Sequence, residues 1–257
     1  MNGKPNYTLG TLEKAFNILD LFSPQRPELS LQELKDILGV PKTTVFRLLF
    51  TMEKHGFVRR VGNSGSYRLG LKLLYLGNVV SKDYDIVRIA SPFMKNLRDE
   101  LGETVDLTII NNDQVLLIEE FESVYRLKAG YSQVGKKLPL HCTASGKILA
   151  SYSWEKISSR WPPKILPAYT SKTITDPDVL KKELELVLER GYAMDDEELD
   201  VDIMSYSAPI FDRDSSVPAA LTVVAPKSRL SSEKEETIIR KVCYYASIIS
   251  NELSKFG

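Results

Sequence analysis

The chain has 257 residues, 43% hydrophobic and 26% charged, a composition that excludes a disordered or fibrous protein and leaves room for two domains. No apolar run approaches the roughly 18–20 residues of a membrane span, and the opening "MNGKPNYTLGTLEKAF" lacks a signal-peptide core, so a cytoplasmic protein with no membrane partner is expected. Two cysteines, Cys142 and Cys243, exclude a disulfide framework, and the net charge of zero hides an asymmetry: residues 1–78 hold eleven basic against six acidic side chains.

That basic head predicts a polyanion as its partner. Its first element is a helix over 11–22, with Thr11 as the cap and Leu12, Ala15, Phe16, Ile18, Leu19 and Phe22 at helical spacing. "SPQRPE" breaks it. A second helix starts after Ser30, where Glu33 three residues on completes a capping box, and Gly39 ends it in a left-handed turn. Only "GVP" separates it from a third helix beginning near Pro41 or Lys42.

In the third helix Val45, Leu48, Leu49 and Met52 fall within one narrow arc, and Thr43, Arg47, Phe50 and Lys54 lie opposite. A short glycine turn between two helices, the second basic on its outer face, has helix-turn-helix geometry. "GFVRRVGNSGSYRLG" then predicts a β-hairpin turning at Asn-Ser-Gly, a wing that puts Arg59, Arg60 and Arg68 beside flanking phosphates. The predicted contacts to double-stranded operator DNA are Ser30, Lys42, Thr43, Thr44, Arg47, Arg59, Arg60 and Arg68.

"GLKLLYLG" opens a linker helix over 70–85, and a long amphipathic helix follows, with Ile86, Ala90, Phe93, Met94, Leu97 and Leu101 on its apolar side. Pro92 inside it predicts a kink or restart. Next come a hairpin over "TVDLTIINNDQVLLIEEF", a helix ending at Gly191, strands "IMSYSAPIFD" and "PAALTVVAP", and a last helix "SEKEETIIRKVCYYASIISNEL". Helices before, between and after antiparallel strands make an α+β domain.

The segment "PLHCTASGK" sets His141 beside Cys142. A nucleophilic cysteine needs a converging base and an orienting acid, but these two are sequence neighbours on opposite faces of an extended chain, and His55, the other histidine, sits in the head. The segment also lacks the glycine run and trailing Ser or Thr of a phosphate loop. No catalytic residue, cofactor or metal is therefore assigned, although convergence of His141, Cys142, Asp195 and Asp196 on a metal stays open. The remaining reading takes "TASGKILASY" as a helix capped by Thr143 or Ser145, whose first N–H groups either are capped or hold an anion. Ala144, Ser145 and Gly146 would let a ligand approach the backbone.

"LSLQELKDILGVPKTTVFRLL", "GFV" and "YRLG" closely resemble the DNA-binding domain of the IclR family of bacterial transcription regulators. "LPLHCTASGKILA", "GYAMDDEELD" and "SAPIFDRDSSVPAALTVVAP" resemble the family's effector-binding segments. The resemblance implies a winged helix-turn-helix domain over 1–69, a linker over 70–85, and an effector-binding and oligomerisation domain over 86–257. The last would have an antiparallel sheet related to GAF and profilin-like folds. It also implies a homodimer or homotetramer that binds a small effector, a carboxylate or aromatic acid, at Ala144, Ser145, Asp195, Ser205, Thr222 and Val224, with His141 and Thr143 beside them. Where the family commonly has arginine and then cysteine, this chain has Met204 and Ser205, and where it often has a second inward polar residue on the last strand, this chain has Val224; the methionine, if it faces the pocket, and the valine point to a more apolar ligand. "DDEELD" also fits a plain solvated turn. Two competing classes remain at this stage: an enzyme fused to a DNA-binding head, and a body that only oligomerises.

Overall fold

The computed structural model describes residues 8–23, 25–62, 64–83, 85–111, 113–126, 134–158, 161–163 and 165–255. The chain divides into two compact units, Met1–Asp83 and Tyr84–Gly257.

The first unit begins with α1 (Gly10–Asp20), which starts after Leu9 without a side-chain cap, so Thr11 lies within the first turn and not at the cap. Of its predicted apolar stripe Ile18 is fully buried, whereas Leu12 and Phe16 are 49% and 54% exposed, because the small unit offers less apolar surface than the stripe presents. Strand β1 (Leu29–Ser30) pairs Leu29 with Tyr67. In α2 (Leu31–Leu38) the Ser30 hydroxyl accepts from the Glu33 N–H while the Glu33 carboxylate accepts from the Ser30 N–H, and Gly39 closes the helix at φ 63°. In α3 (Lys42–Lys54) Val45, Leu48, Leu49 and Met52 are buried. Strands β2 (Val58–Val61) and β3 (Ser66–Leu69) make the wing, with β3 central in the order β1-β3-β2. The turn residue Asn63 lies outside the described residues. Helix α4 (Leu71–Asp83) ends the unit.

In the second unit α5 (Asp85–Leu101) runs on through Pro92 as one helix. Burial of Ile89, Ala90, Met94 and Leu97 on both sides of the proline outweighs the one missing backbone bond. Phe93 and Leu101 are only partly buried. The sheet comprises β4 (Thr104–Asn111), β5 (Gln114–Phe121), β6 (Lys137–Pro139), β7 (Ala193–Asp196), β8 (Ile203–Ile210) and β9 (Ala219–Pro226). They are ordered β6-β5-β4-β9-β8-β7 with every pair antiparallel. Between β6 and β7 come α6 (Ala144–Tyr152), α7 (Trp154–Ile157) and α8 (Pro177–Arg190), the last capped by Asp176 and closed by Gly191 at φ 75°. Helix α9 (Ser232–Leu253) is the last element.

Strand alternation sends successive side chains to opposite faces of this sheet. Val105, Leu107, Tyr206, Leu221 and Val223 pack with α5 and α9 into one core. The other face packs against α6 and α8 through Val115, Ala193 and Ala220, meeting Ile148 and Leu180. Helix α6 is buried from Ala144 to Ser151 and lies tight on the chain before it. A Cβ on Gly146 would sit 2.4 Å from the Leu140 carbonyl oxygen and 2.5 Å from Thr143 Oγ1. Gly146→Ala is therefore expected to destabilise the protein by about 1–3 kcal/mol through overpacking; an unchanged urea midpoint would contradict this close fit.

Candidate functional site

Two groups of predicted residues can be followed from sequence to place. In the first unit Lys42, Thr43, Arg47 and Arg59 are exposed and Thr44 is half-buried. Because Val45, Leu48, Leu49 and Met52 anchor α3 in the core, Thr43 and Arg47 project from the opposite side, and Lys42 is exposed in the first turn. The wing arginines are not equivalent. Arg60 pairs with Glu53 at 3.2 Å, its guanidinium 5.6 Å from the Tyr67 ring centroid and 5.9 Å from that of Phe46. Arg68 is held by Glu28 at 3.1 Å. To meet a phosphate, Arg60 and Arg68 must first exchange a carboxylate. Such half-exposed pairs are worth roughly 0–1 kcal/mol, so a phosphate can displace them. The Ser30 oxygen is occupied as an acceptor by the helix cap, which leaves its proton for donation.

In the second unit Thr143, Ser145, Asp195, Ser205, Thr222 and Val224 line one cavity, brought together from α6, β7, β8 and β9. Asp106, Thr222, Val224, Ser205 and Asp195 of this lining belong to two adjacent rows of cross-strand neighbours on the sheet. One runs Glu120, Asp106, Thr222, Ser207; the next runs Thr104, Val224, Ser205, Asp195. The free room inside is small, about 30 Å3. Asp106, Leu138, Leu199, Asp200 and Ile203 complete the lining and were missed by the sequence reading. A signal for Asp106 existed: Thr104, Asp106 and Thr108 repeat with period two, a polar face on a strand whose other face is Val105 and Leu107.

Three expectations change. Ala144 does not border the cavity, because it faces the apolar cluster with Ile148 and Leu180. His141 is turned away as well: its Nε2 donates to the Pro167 carbonyl at 2.9 Å, and burial holds its pKa below the usual histidine value. Met204 lies on the opposite sheet face in the core with α5 and α9, so the arginine-to-methionine change adds no apolar wall to the cavity. Cys142 is fully buried, and that burial, followed by the charges of Asp195 and Glu198, drives its thiol pKa far up, which keeps the nucleophilic thiolate from forming. Among the described residues there is no group of three or more His, Cys, Asp or Glu side chains fit to hold a metal ion.

Nor is "DDEELD" a solvated turn. Asp195 and Glu198 are 4% and 7% exposed. Asp195 Oδ1 accepts from the Glu198 N–H at 2.7 Å and its Oδ2 from Ser205 Oγ at 3.4 Å. Burial pushes the Asp195 pKa up to about 7 against the pull of that N–H. Behind the cavity Lys147, 1% exposed, donates to Glu198 Oε1 and to the Met194 carbonyl, with Glu183 Oε1 at 3.9 Å. Burial raises the Glu198 pKa while the Lys147 ammonium opposes it. Outside, Lys172 and Lys227 clamp Asp196 and Glu197, and their ammonium groups hold the Glu197 pKa down at about 2.

A winged helix-turn-helix unit and an α+β unit with a polar cavity on its sheet define a two-part DNA-binding regulator. The family model described as the IclR helix-turn-helix domain matches residues 11–62, and that of the bacterial transcriptional regulator IclR C-terminal domain matches residues 78–251. The transcriptional repressor IclR of Escherichia coli is 30% identical over 87% of this chain and 82% of its own. The regulator KipR of Bacillus subtilis is 31% identical over 95% and 96%. The crystal structure of the Thermotoga maritima IclR, 30% identical, superposes with a TM-score of 0.79 over 95% of this chain and 99% of its own. The chain belongs to the IclR family of transcriptional regulators. No described helix is long and apolar enough to cross a membrane.

Two outcomes test the site's electrostatics. Lys147→Met leaves the Glu198 carboxylate buried without its cation and is expected to cost about 3–5 kcal/mol in urea unfolding; a near-neutral effect would contradict the pairing. Asp195 holds its proton more tightly folded than unfolded, so its contribution is full below the unfolded carboxylate pKa and is lost as pH rises toward about 7. Asp195→Asn should flatten the fall in stability between pH 4 and 7; an identical slope in both proteins would refute the raised pKa.

Proposed function

We propose that this regulator binds operator DNA through α3 and the wing and answers to a small effector taken up in the sheet cavity. Lys42, Thr43, Thr44 and Arg47 read base edges and adjacent phosphates in the major groove, and Arg47 is the side chain able to make a bidentate contact to guanine. Arg59, with Ser30 and, after exchange, Arg60 and Arg68, adds salt-sensitive phosphate affinity. The observation that carries this reading is the exposed row Lys42, Thr43 and Arg47 on a helix whose other side is core.

The effector of this reading is a carboxylate or aromatic acid at Thr143, Ser145, Asp195, Ser205, Thr222 and Val224. A structural neighbour from Microbacterium hydrocarbonoxydans, 24% identical with a TM-score of 0.82, is complexed with 4-hydroxybenzoate; a small acid of that kind fits a site at the start of a helix. The functional partition is a DNA-binding domain over 1–69, a linker over 70–85 and an effector domain over 86–257. A homodimer or homotetramer suits the fold's use of paired half-sites. It is supported by apolar side chains left in solvent on α1 and α4, among them Leu9, Leu71 and Leu74 at 72%, 78% and 64% exposure.

Arg47→Ala is expected to abolish sequence-specific operator binding in fluorescence anisotropy while leaving the fold intact by circular dichroism; retained sequence preference would remove α3 from the recognition role. A thermal-shift screen of carboxylic and aromatic acids should give hits that also change operator affinity. Hits that leave operator affinity untouched would sink the effector role.

A further inference from the structure

We propose that the effector carries a hydroxyl group and that Asp106, in the cavity lining, is the side chain that reads it. This rests on the effector reading of the cavity and narrows the ligand class to hydroxylated acids. The resemblance singled out segments in α6, β7, β8 and β9, whereas Asp106 lies on β4, outside all of them. It lines the cavity, is 93% buried, and its Oδ1 has no hydrogen-bond partner. A buried carboxyl oxygen without a partner costs free energy that a ligand group placed there would recover.

The surroundings decide which group. Among the described residues that line the cavity the ionisable ones are Asp106, Asp195 and Asp200, with no lysine, arginine or histidine. Glu120 on β5 is the direct cross-strand neighbour of Asp106 on the other side. A ligand carboxylate laid against Asp106 would meet that carboxyl and Glu120 beside it, so it belongs by Ser145, in the first turn of α6. An ammonium would require Asp106 to ionise, which its burial and the Glu120 charge both oppose. A hydroxyl is donor and acceptor at once. It satisfies Asp106 in either protonation state, and the neighbouring Thr222 hydroxyl, already linked to Ser207 at 2.9 Å, extends the same polar row.

The test uses acids paired to differ by one hydroxyl, 4-hydroxybenzoate against benzoate and 3-hydroxybutyrate against butyrate. Binding to the full-length protein is measured by titration calorimetry. Wild type is expected to bind the hydroxylated member of at least one pair about tenfold tighter or more. Asp106→Leu should bring that pair level while the plain acid still binds, and Asp106→Ala gives the same readout should the leucine variant not fold. Equal affinities in wild type, or a hydroxyl preference that survives both substitutions, overturns the assignment to Asp106. If no acid binds at all, the effector reading of the cavity falls and this inference falls with it; acids that bind without regard to the hydroxyl overturn the inference alone.

Discussion

A lysine ammonium taken out of water loses several kcal/mol of solvation, and only close acceptors replace it. Lys147, on the inward side of a helix buried along its length, is in that position. Its acceptors are the Glu198 carboxylate and the Met194 carbonyl, one at the acidic turn and the other on β7. That requirement ties α6 to the turn, and the rest of the site follows from it. With Glu198 drawn to Lys147, the Glu198 N–H falls on Asp195 Oδ1, and Asp195 is held at the cavity wall beside Ser205. The adjacent residues bend away through Glu197 at φ 59° and Asp202 at φ 64°, a left-handed backbone that costs of order 1 kcal/mol per non-glycine residue. Lys172, Lys227 and the Thr170 hydroxyl, which donates to the Glu197 carbonyl, hold that bend from outside.

The sheet supplies the other half of the site by dividing its strands' side chains between two kinds of work. One face is apolar from β4 to β8 and sits on α5 and α9, where each fully buried Leu, Ile or Val contributes roughly 1.5–3 kcal/mol. The other face carries Asp106, Thr222, Ser207 and Ser205 in register, polar groups that no sheet needs for stability. Most are satisfied among themselves, Ser207 with the Leu221 carbonyl and Thr222, and Ser205 with Asp195. Asp106 Oδ1 is not. The polar cavity residues therefore share a face with the apolar cluster that packs on α6 and α8, while the face against α5 and α9 is apolar throughout.

This division also explains what was legible in the sequence. Helices α2 and α8 could be read because their ends carry local chemistry: the Ser30–Glu33 box, Gly39 and Gly191. The side of α3 given to the core could be read from spacing alone. Strand β1 could not, since two residues carry no alternation and its existence depends on Tyr67, 38 positions away. The ion pairs of Arg60 and Arg68 escaped for the same reason: Glu28 lies far along the chain and meets the wing only after folding. In the body the motif segments located α6, β7, β8 and β9, but a motif does not say which way a side chain points. Ala144, His141 and Met204 turned toward packing, and Lys147, dismissed as a failed phosphate-loop lysine, became the centre of the buried network.

The narrowness of the cavity connects these pieces to regulation. About 30 Å3 of free room is small for an organic acid, and on the effector reading α6, the acidic turn and the sheet together set that size. Two of these elements are joined by Lys147 and Glu198, so the place of the turn beside the cavity is held by a buried ion pair. A ligand that bonds to the Asp195 carboxylate competes with the Glu198 N–H for the same acceptor. The cavity and the buried lysine are thus two sides of one constraint: the interaction that places Glu198 also places the Asp195 carboxylate that the cavity presents.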